Sequence, residues 1–561
     1  MSKPLIECVP NFSEGQDSHV IEAIAEAIRS VEGAKLLDVD PGKSTNRTVF
    51  TFAGEPGPVL EAAFQAAKIG LELIDMRKHH GEHPRFGALD VCPIIPIANC
   101  LMEDAASLAR QLSARMANEL GMTIYNYGHA ASTEERRDLS IVRAGEYEGL
   151  VEKLSKPEWK PDFGPDKFNA KSGATAVGAR DILVAYNVNL NTTSTRRANS
   201  VAFDVRERGR AMRIGDPITG DLVKDAEGNT VYEPGVLRNV KGIGWFIEEY
   251  GICQVSMNLT NIRETPVHVA FDETVEKARD RGIRVTGSEL VGLIPLSCML
   301  EAGRYFLHKQ RRSSGVSDAE LIKIAVKSMG LDELNPFDPQ KKIIEYALRD
   351  SGNKRLVDMS VQAFVEETAS ESPAPGGGSI AATMGAMGAA LATMVANLSS
   401  HKRGWDERWE EFSVWAEKGK SYHDQLLRLI DEDTEAFDAL MACFGMPKGT
   451  EEEKAARSAA IQAATKHAIE IPLQVMQASL DSMEVIRAMA DIGNPNSISD
   501  AAVGALAARS AVLGAHLNVK INCGSVKDTE FVEAVSKRAQ EIADLAITRE
   551  KEILALVEAR L

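Results

Sequence analysis

Hydrophobic residues change their period once along this chain, near residue 349, and that change limits the folds open to it. Before it, short apolar runs alternate with amphipathic helical stretches. "LIECV" reads as a strand and "SHVIEAIAEAIRSV" as a helix, while "AKLLDVD" and "RTVFTFAG" are two strands joined by the polar turn "PGKSTN". A helix over 59–76 and a strand over 89–97 follow, and after another helix comes the strand-like "MTIYNY". The order β-α-β-β-α-β is that of a ferredoxin-like split unit. It recurs in "DILVAYNVNL", "TSTRRANSVAFDVRERG", the hairpin "GIGWFIEEYG"/"ICQVSMNLT", a helix over 266–281 and "IRVTG". Past the short polar linker "RDSGNKR", nearly every apolar residue falls on a helical period. The expected architecture is therefore multidomain. An α+β N-terminal half of two ferredoxin-like βαββαβ subdomains, 1–181 and 182–348, is followed by a linker at 349–356 and an all-α helical-bundle domain at 357–561.

Two segments stand outside this pattern. Residues 156–178 are rich in Gly and Pro and read as the joint between the subdomains, where ligand clefts are favoured. Residues 213–235 are turn-rich and read as an inserted surface hairpin with no role in the chemistry. In the helical half, Pro373 to Ser400 carries no charge, so it is either a bilayer span or a buried helix. Its body is Ala, Gly, Met and Thr, and lipid insertion is driven by Leu, Ile, Phe and Val at only about 0.3–0.6 kcal/mol each. Ala381, Gly385 and Ala389 recur every four residues, which lets a neighbouring helix approach closely. A bundle helix and no membrane span is the expectation.

Lys plus Arg is 64 against 81 Asp plus Glu, a net charge of −17. Nucleic acids and anionic membranes need a basic face, so neither is an expected partner, while a local cationic pocket for a small anion stays open. The cysteines, at 8, 92, 100, 253, 298, 443 and 523, are scattered and form no C-x-x-C pair. Reduced thiols and a cytoplasmic location follow from that, with no secretory apolar run near Met1.

His79, His80 and His83 fall within "KHHGEHPRFG", and metal binding, proton transfer and simple surface exposure are all open for them. His79 and His83 have the i, i+4 spacing of helical metal ligands, but Gly81 and Pro84 oppose a helix there. A loop histidine suits proton transfer, its ordinary pKa of about 6.5 lying near working pH. The loops "VPNFSEG" and "DVDPGKSTNRT" also follow strands, and they offer Asn11, Asp40, Asn46 and Arg47 near the same sheet end. In the helical half, "SPAPGGGS" places Gly376, Gly377 and Gly378 at a helix start, where free N–H groups favour anions or carbonyl oxygens. "LIDEDTEAF" puts Asp433 on the apolar stripe and Asp431 on another side of the helix. Desolvation there raises a carboxyl pKa, as general acid–base work requires.

"VPNFSEG", "LLDVDPGKSTNRTVFTF", "GEHPRFGALDVCP", "GARDILVAYNVNL" and "GIGWFIEE" together resemble the glutamate formimidoyltransferases. "SPAPGGGS", "LIDEDTEAF" and the terminal helices resemble the formimidoyltetrahydrofolate cyclodeaminases. Their order matches the bifunctional formimidoyltransferase-cyclodeaminase family over nearly the whole chain. The resemblance implies transfer of a formimidoyl group from N-formimidoyl-L-glutamate to tetrahydrofolate, a co-substrate here. Closure to 5,10-methenyltetrahydrofolate with loss of ammonia follows, late in histidine degradation. It places the catalytic histidine on His83, the cyclodeaminase aspartate on Asp433, and the folate-contacting loop on Gly164, Pro165, Asp166, Lys167, Phe168, Asn169, Ala170, Lys171, Ser172 and Gly173. Asp40, Asn11, Arg47 and Gly376 to Gly378 are supporting candidates. A dimer-based homo-oligomer, up to an octameric ring, is implied as well, and passage of polyglutamylated folate between sites is left open. Two departures stand out: the insertion at 213–235 is longer than the family pattern, and Thr434 replaces the familiar Ala.

The implied chemistry is proton transfer without redox steps, so no metal is expected. A metal-dependent hydrolase of formimidoylglutamate built on the histidine cluster is the alternative from another enzyme class. A helical half that serves only as an assembly scaffold is the non-enzymatic one.

Overall fold

The computed structural model describes residues 4–43, 46–81, 85–216, 219–348 and 355–561. They form two compact units, residues 1–302 with 326–349, and residues 303–325 with 350–561.

The first unit begins with strands β1 (Leu5–Cys8) and β2 (Asn11–Phe12), split by Val9 and Pro10. Helix α1 (Ser18–Arg29) follows, its first turn capped by the Asp17 carboxylate, which accepts from the His19 N–H. Strands β3 (Ala34–Gly42) and β4 (Arg47–Gly54), helix α2 (Pro56–Leu73), strand β5 (Leu89–Ala98) and helix α3 (Met102–Leu120) complete a first set. Strand β3 pairs β4, β4 pairs both β1 and β2, and these pair β5, all antiparallel. Ile6, Cys8, Phe50, Phe52, Cys92 and Ile94 point from this sheet into a core with Ile24, Ile28, Val59, Ala63 and Leu112 of the three helices. Each large side chain so buried contributes roughly 1.5–3 kcal/mol.

The sheet continues past β5 in a way the sequence did not announce. Strand β6 (Thr123–Gly128), the "MTIYNY" stretch, does not pair β5 directly. Strand β7 (Ala174–Ala179) runs parallel between them. All but its last residue lie inside the segment read as a joint. All six are buried, so no alternation of apolar and polar residues marks the strand, and "ATAVGA" is too small to stand out by hydropathy.

The second sheet has the order Val240–Ile247, Ile252–Leu259, Val184–Leu190 (β8), Val285–Val291, antiparallel throughout. Helices Thr195–Val205 and Val267–Arg279 connect it. The insertion leaves this unit as two short ladders, Arg210–Ala211 with Tyr232–Glu233 and Arg213–Ile214 with Asp221–Leu222. The coarse expectation therefore stands: a two-part N-terminal α/β region precedes a helical half.

In the second unit, helices Gly377–Ser400, Trp409–Phe444, Glu451–Ile492, Ile498–Cys523 and Thr529–Glu558 surround a core of Ala381, Leu426, Val475, Ile486, Val512 and Ile553. Residues 303–325 belong to it: the Ser314 N–H donates to Ser413 Oγ at 3.1 Å, and Lys420 pairs with Asp318 at 2.8 Å. The small-residue stripe does what its spacing implies. A Cβ added at Gly385 would lie 2.4 Å from Ser479 Oγ, and one at Gly388 would lie 2.8 Å from the Gly504 carbonyl. Two stretches, Gly377–Ser400 and Pro495–Cys523, are long and apolar enough to cross a membrane. Here both pack in the bundle, with Ala381, Ala389, Ala501 and Ala508 fully buried.

Candidate active sites

The face of the first sheet turned away from its helices carries the polar side chains. Directly opposed residues of antiparallel strands share a face. Glu7 stands opposite Ala53 and Ile95, Asn11 opposite Val49 and Val91, and Asp40 opposite Val49, so Glu7, Asn11, Asp40 and Arg47 lie on one side. Arg47 donates to Asn11 Oδ1 from Nε at 3.1 Å and Nη2 at 2.9 Å. Its Nη1 pairs with the fully buried Asp90, which also accepts from Arg143 Nη2 at 2.9 Å. One buried carboxylate thus faces two guanidinium groups. Guanidinium forks of this kind bind carboxylates in bidentate fashion. Asp40 shares the face but is exposed on the outer strand β3.

The turn presenting Arg47 is held by Asn46, whose φ is +48°. Asn46 Oδ1 accepts from the Gly15 N–H at 2.9 Å, and its Nδ2 donates to the His80 carbonyl at 2.8 Å. His79 Nε2 lies 2.7 Å from the Asn46 carbonyl, so that nitrogen carries the proton and donates. Burial pulls the His79 pKa below its ordinary value. His79 therefore braces the Asn46 turn, Asn46 ties that turn to the Gly15 and His80 loops, and His80 is exposed.

His83, with Glu82 and Pro84, lies outside the described residues. The chain on either side of it is fastened to the loop 164–173. The Met76 N–H donates to the Lys171 carbonyl at 2.9 Å, the Ala88 N–H to the Ser172 carbonyl at 2.8 Å, and the Ala174 N–H to the Phe86 carbonyl at 3.1 Å. Gly164 and Gly173 bound this loop with φ of +83° and +65°, which only glycine adopts without strain. Within it, Phe168 packs on Tyr147 at 5.4 Å between ring centroids, and Tyr147 Oη donates to the Ala170 carbonyl at 2.5 Å. Asn169 Oδ1 accepts from the Lys171 N–H at 3.0 Å, and Lys171 Nζ donates to the Glu72 carbonyl at 2.9 Å. Asp166 and Lys167 are exposed, and the Pro165 carbonyl accepts from Thr123 Oγ1 at 2.8 Å.

Glu7, Asp90, Arg143 and Arg180 were not anticipated. Glu7 is 4% exposed, and burial pushes its pKa up to about 7 against the pull of Arg180. Arg180 also lines a cavity of about 320 Å³ with His129, Arg137, Asn239, Thr260 and Asn261, drawn from both halves of the first unit. A signal did exist for two of them. Glu7 in "LIECV" and Asp90 before "VCPIIPI" are acids within apolar strands, and buried charge without a purpose is rare. Nothing local marks Arg143.

The second candidate site lies in the helical unit. Asp433, on helix Trp409–Phe444, and Gly376 to Gly378, at the start of helix Gly377–Ser400, line one cavity of about 270 Å³. Thr434, Phe437, Asn518 and Asn522 are also in its wall. Burial raises the Asp433 pKa, while the Ser379 hydroxyl, donating to Oδ2 at 3.0 Å, and the Ser379 N–H hold it back. Gly378 permits this approach, since a Cβ there would lie 2.2 Å from Asp433 Oδ1. Asp431 turns elsewhere and accepts from the Leu356 N–H at 2.8 Å. Two acids two residues apart thus face different ways, as their spacing required. Asn518 and Asn522 in the wall and the buried Ser379 behind Asp433 were missed: polar residues in helices carry no mark of the group they face.

Among the described residues no three His, Cys, Asp or Glu side chains converge as a metal would need.

Known families match in the same order. The formiminotransferase domain, N-terminal subdomain, matches residues 5–180, the formiminotransferase domain residues 185–349, and formiminotransferase-cyclodeaminase residues 360–541. The formimidoyltransferase-cyclodeaminase of Dictyostelium discoideum is 43% identical over 558 residues, 99% of each chain. The glutamate formimidoyltransferase of Streptococcus pyogenes serotype M1 is 39% identical over 303 residues, covering 54% of this chain and 93% of that one. The methenyltetrahydrofolate cyclohydrolase of Methylorubrum extorquens is 40% identical over 186 residues, 33% of this chain and 88% of its own. With full-length relatives above 40% identity and all three models in sequence order, the chain belongs to the formiminotransferase-cyclodeaminase family.

Proposed function

We propose that the chain is a bifunctional enzyme of histidine degradation that moves the formimidoyl group of N-formimidoyl-L-glutamate onto tetrahydrofolate and then closes the ring. The observation that carries this reading is the pair of separate sites, one in each unit, in the order of relatives matched over 99% of their length. In the first step N5 of tetrahydrofolate attacks the amidine carbon, and His83 takes the N5 proton as the tetrahedral centre forms. The same proton then goes to the glutamate nitrogen as its bond to carbon breaks. Arg47 and Arg143, with Asn11 in support, hold the carboxylates of the glutamate. Asp40 stands on the same face to orient substrate or base. The loop 164–173 receives the folate, Phe168 offering an aromatic face.

In the second step N10 attacks the same carbon within one molecule, so most of the entropic cost of association is already met. The nitrogen lost is a poor leaving group until protonated. Asp433, with its pKa raised by burial, supplies that proton and then takes up the one released from N10. The N–H groups at Gly376 to Gly378 face the substrate from the helix start.

The strand orders of both sheets support the ferredoxin-like reading of each subdomain. We keep the boundaries at 181 and 348, with residues 303–325 contributed to the helical unit, while most of the linker expected at 349–356 lies outside the described residues. We place the enzyme in the cytoplasm as a dimer-based homo-oligomer. The exposed Met387, Met394 and Leu398 on the Gly377 helix support a partner there. The test is the absorbance of methenyltetrahydrofolate formed from formimidoylglutamate and tetrahydrofolate by the full chain. Turnover of formimidoylglutamate without folate, abolished by a chelator, would instead favour the metal-dependent hydrolase. The likeness to a cyclohydrolase favours one addition, opening of the methenyl product by water at the Asp433 site. Enzyme-dependent decay of that absorbance after ammonia release reports it.

A further inference from the structure

Helix Thr195–Val205 packs on the second sheet through Ala198, Val201, Ala202 and Val205, which leaves Arg196, Asn199, Ser200 and Phe203 on one outward stripe. That stripe is one wall of a cavity of about 610 Å³, with Asn199 also held to Gly244 of the sheet by a pair of hydrogen bonds. Five arginines line it: Arg196 and Arg197 from the helix, Arg210 and Arg213 from the stem of the inserted hairpin, and Arg281 from the end of helix Val267–Arg279. Two of them are built in. Asp204 accepts from Arg210 Nη2 at 2.6 Å and pairs with Arg281 through its other oxygen. Ser200 completes the clamp, its carbonyl accepting from Arg210 at 2.8 Å and its hydroxyl from Arg281 Nε at 2.7 Å. Arg196, Arg197 and Arg213 have no carboxylate partner among the described residues.

Five guanidinium groups line this cavity against one carboxylate, a local positive field in a chain of net charge −17. We propose that this cavity binds a small anion bearing two or more phosphate groups. Guanidinium forks match carboxylate and phosphate alike. The choice rests on charge density: Arg196, Arg197 and Arg213 bring three charges without a carboxylate partner among the described residues to one cavity, and a compact, multiply charged group meets them together. Single carboxylates spaced along a carbon chain would leave much of the surplus charge unmet. The cavity is neither of the two candidate active sites, and the inserted hairpin acquires a purpose that its turn-rich sequence concealed. Inorganic diphosphate and nucleoside diphosphates share this chemistry, and Phe203 at the wall offers a face to a base.

The test is calorimetric titration of the full chain with sodium tripolyphosphate at physiological ionic strength, with diphosphate and ADP as parallel arms. Saturable binding at one site per chain is expected. The double variant Arg196→Ala with Arg213→Ala removes two exposed side chains and should weaken binding roughly tenfold or more. Lys68→Ala with Arg110→Ala removes the same charge elsewhere in the unit and should leave binding unchanged. ADP binding more tightly than diphosphate would assign the natural ligand to nucleotides, and equal affinity would assign it to the phosphates alone. Unsaturable binding, or equal losses in both double variants, would mean diffuse attraction and overturn the site. Tighter binding of γ-linked triglutamate than of tripolyphosphate would overturn the assignment to phosphate.

Discussion

Gly378 is the most exacting position of the second site, and Gly378→Ala tests whether Asp433 works where the structure puts it. The added Cβ would lie 2.2 Å from Asp433 Oδ1 and 2.6 Å from both Cγ and Oδ2. Ordinary contact needs more than 3 Å, so the carboxyl group must retreat by about 1 Å and give up its place beside Ser379. Overpacking of this kind costs about 1–3 kcal/mol, partly offset by the better helix propensity of Ala over Gly, about 1 kcal/mol. The fold should survive. Catalysis should not, because a misplacement of about 1 Å at a reacting group costs on the order of 10²-fold. The assay supplies 5-formimidoyltetrahydrofolate to the full chain and follows methenyltetrahydrofolate by absorbance, with formimidoyl transfer measured in parallel. Ring closure should fall about 10²-fold while transfer is unchanged. Gly514→Ala, on helix Ile498–Cys523 and outside the cavity wall, is the control, since its Cβ meets Ala381 at an ordinary 3.4 Å. Full closure activity in Gly378→Ala, or equal losses in the two variants, would refute the placement of the acid.

Other expectations follow from the same contacts. Asp433→Asn should transfer normally yet accumulate the 5-formimidoyl intermediate; in the parent, closure should decline as pH rises through the raised Asp433 pKa, because only the acid form donates, and that decline should vanish in the variant. His83→Ala should lose formimidoyl transfer by about 10²–10⁴-fold and still close supplied 5-formimidoyltetrahydrofolate; loss of both reactions in a folded chain would point to one shared site. Glu7 is raised from 4.5 to about 7 on folding, so its contribution is fully present below pH 4.5 and is lost as pH rises through about 7. Glu7→Gln should therefore gain on the parent by up to about 3 kcal/mol at pH 8 and not at pH 4, read as a melting-temperature difference that grows with pH; a constant difference would contradict the buried-acid reading. Lys167→Ala with Lys171→Ala should raise the KM for polyglutamylated folate more than for the monoglutamate, and equal increases would place the glutamate tail elsewhere.

Much of the fold could be read locally because it rests on local rules. The β-α-β-β-α-β order shows in period and turn residues, and the bundle shows in its unbroken helical period. The two faces of "LIDEDTEAF" follow from helix geometry alone, and Asp433 and Asp431 point as that geometry demands. The glycine run before a helix marked a close approach, and Gly378 makes one with Asp433. His79 shows the limit of such reading. Its position beside His80 and His83 invited a shared role, yet the fold spends it on the Asn46 carbonyl, a contact 33 residues away.

What the sequence determined by itself was element type, element order and the family, because each depends on neighbours along the chain. What only the tertiary structure decided was which distant residues meet. β7 exists because β5 and β6 flank it, not because "ATAVGA" favours a strand. Asp90 gathers Arg47 and Arg143 from 43 and 53 residues away, and the arginine cavity gathers side chains from two helices and a hairpin stem. Burial then sets the acidity of Glu7 and Asp433, and burial is a property of the packed molecule that no stretch of sequence carries.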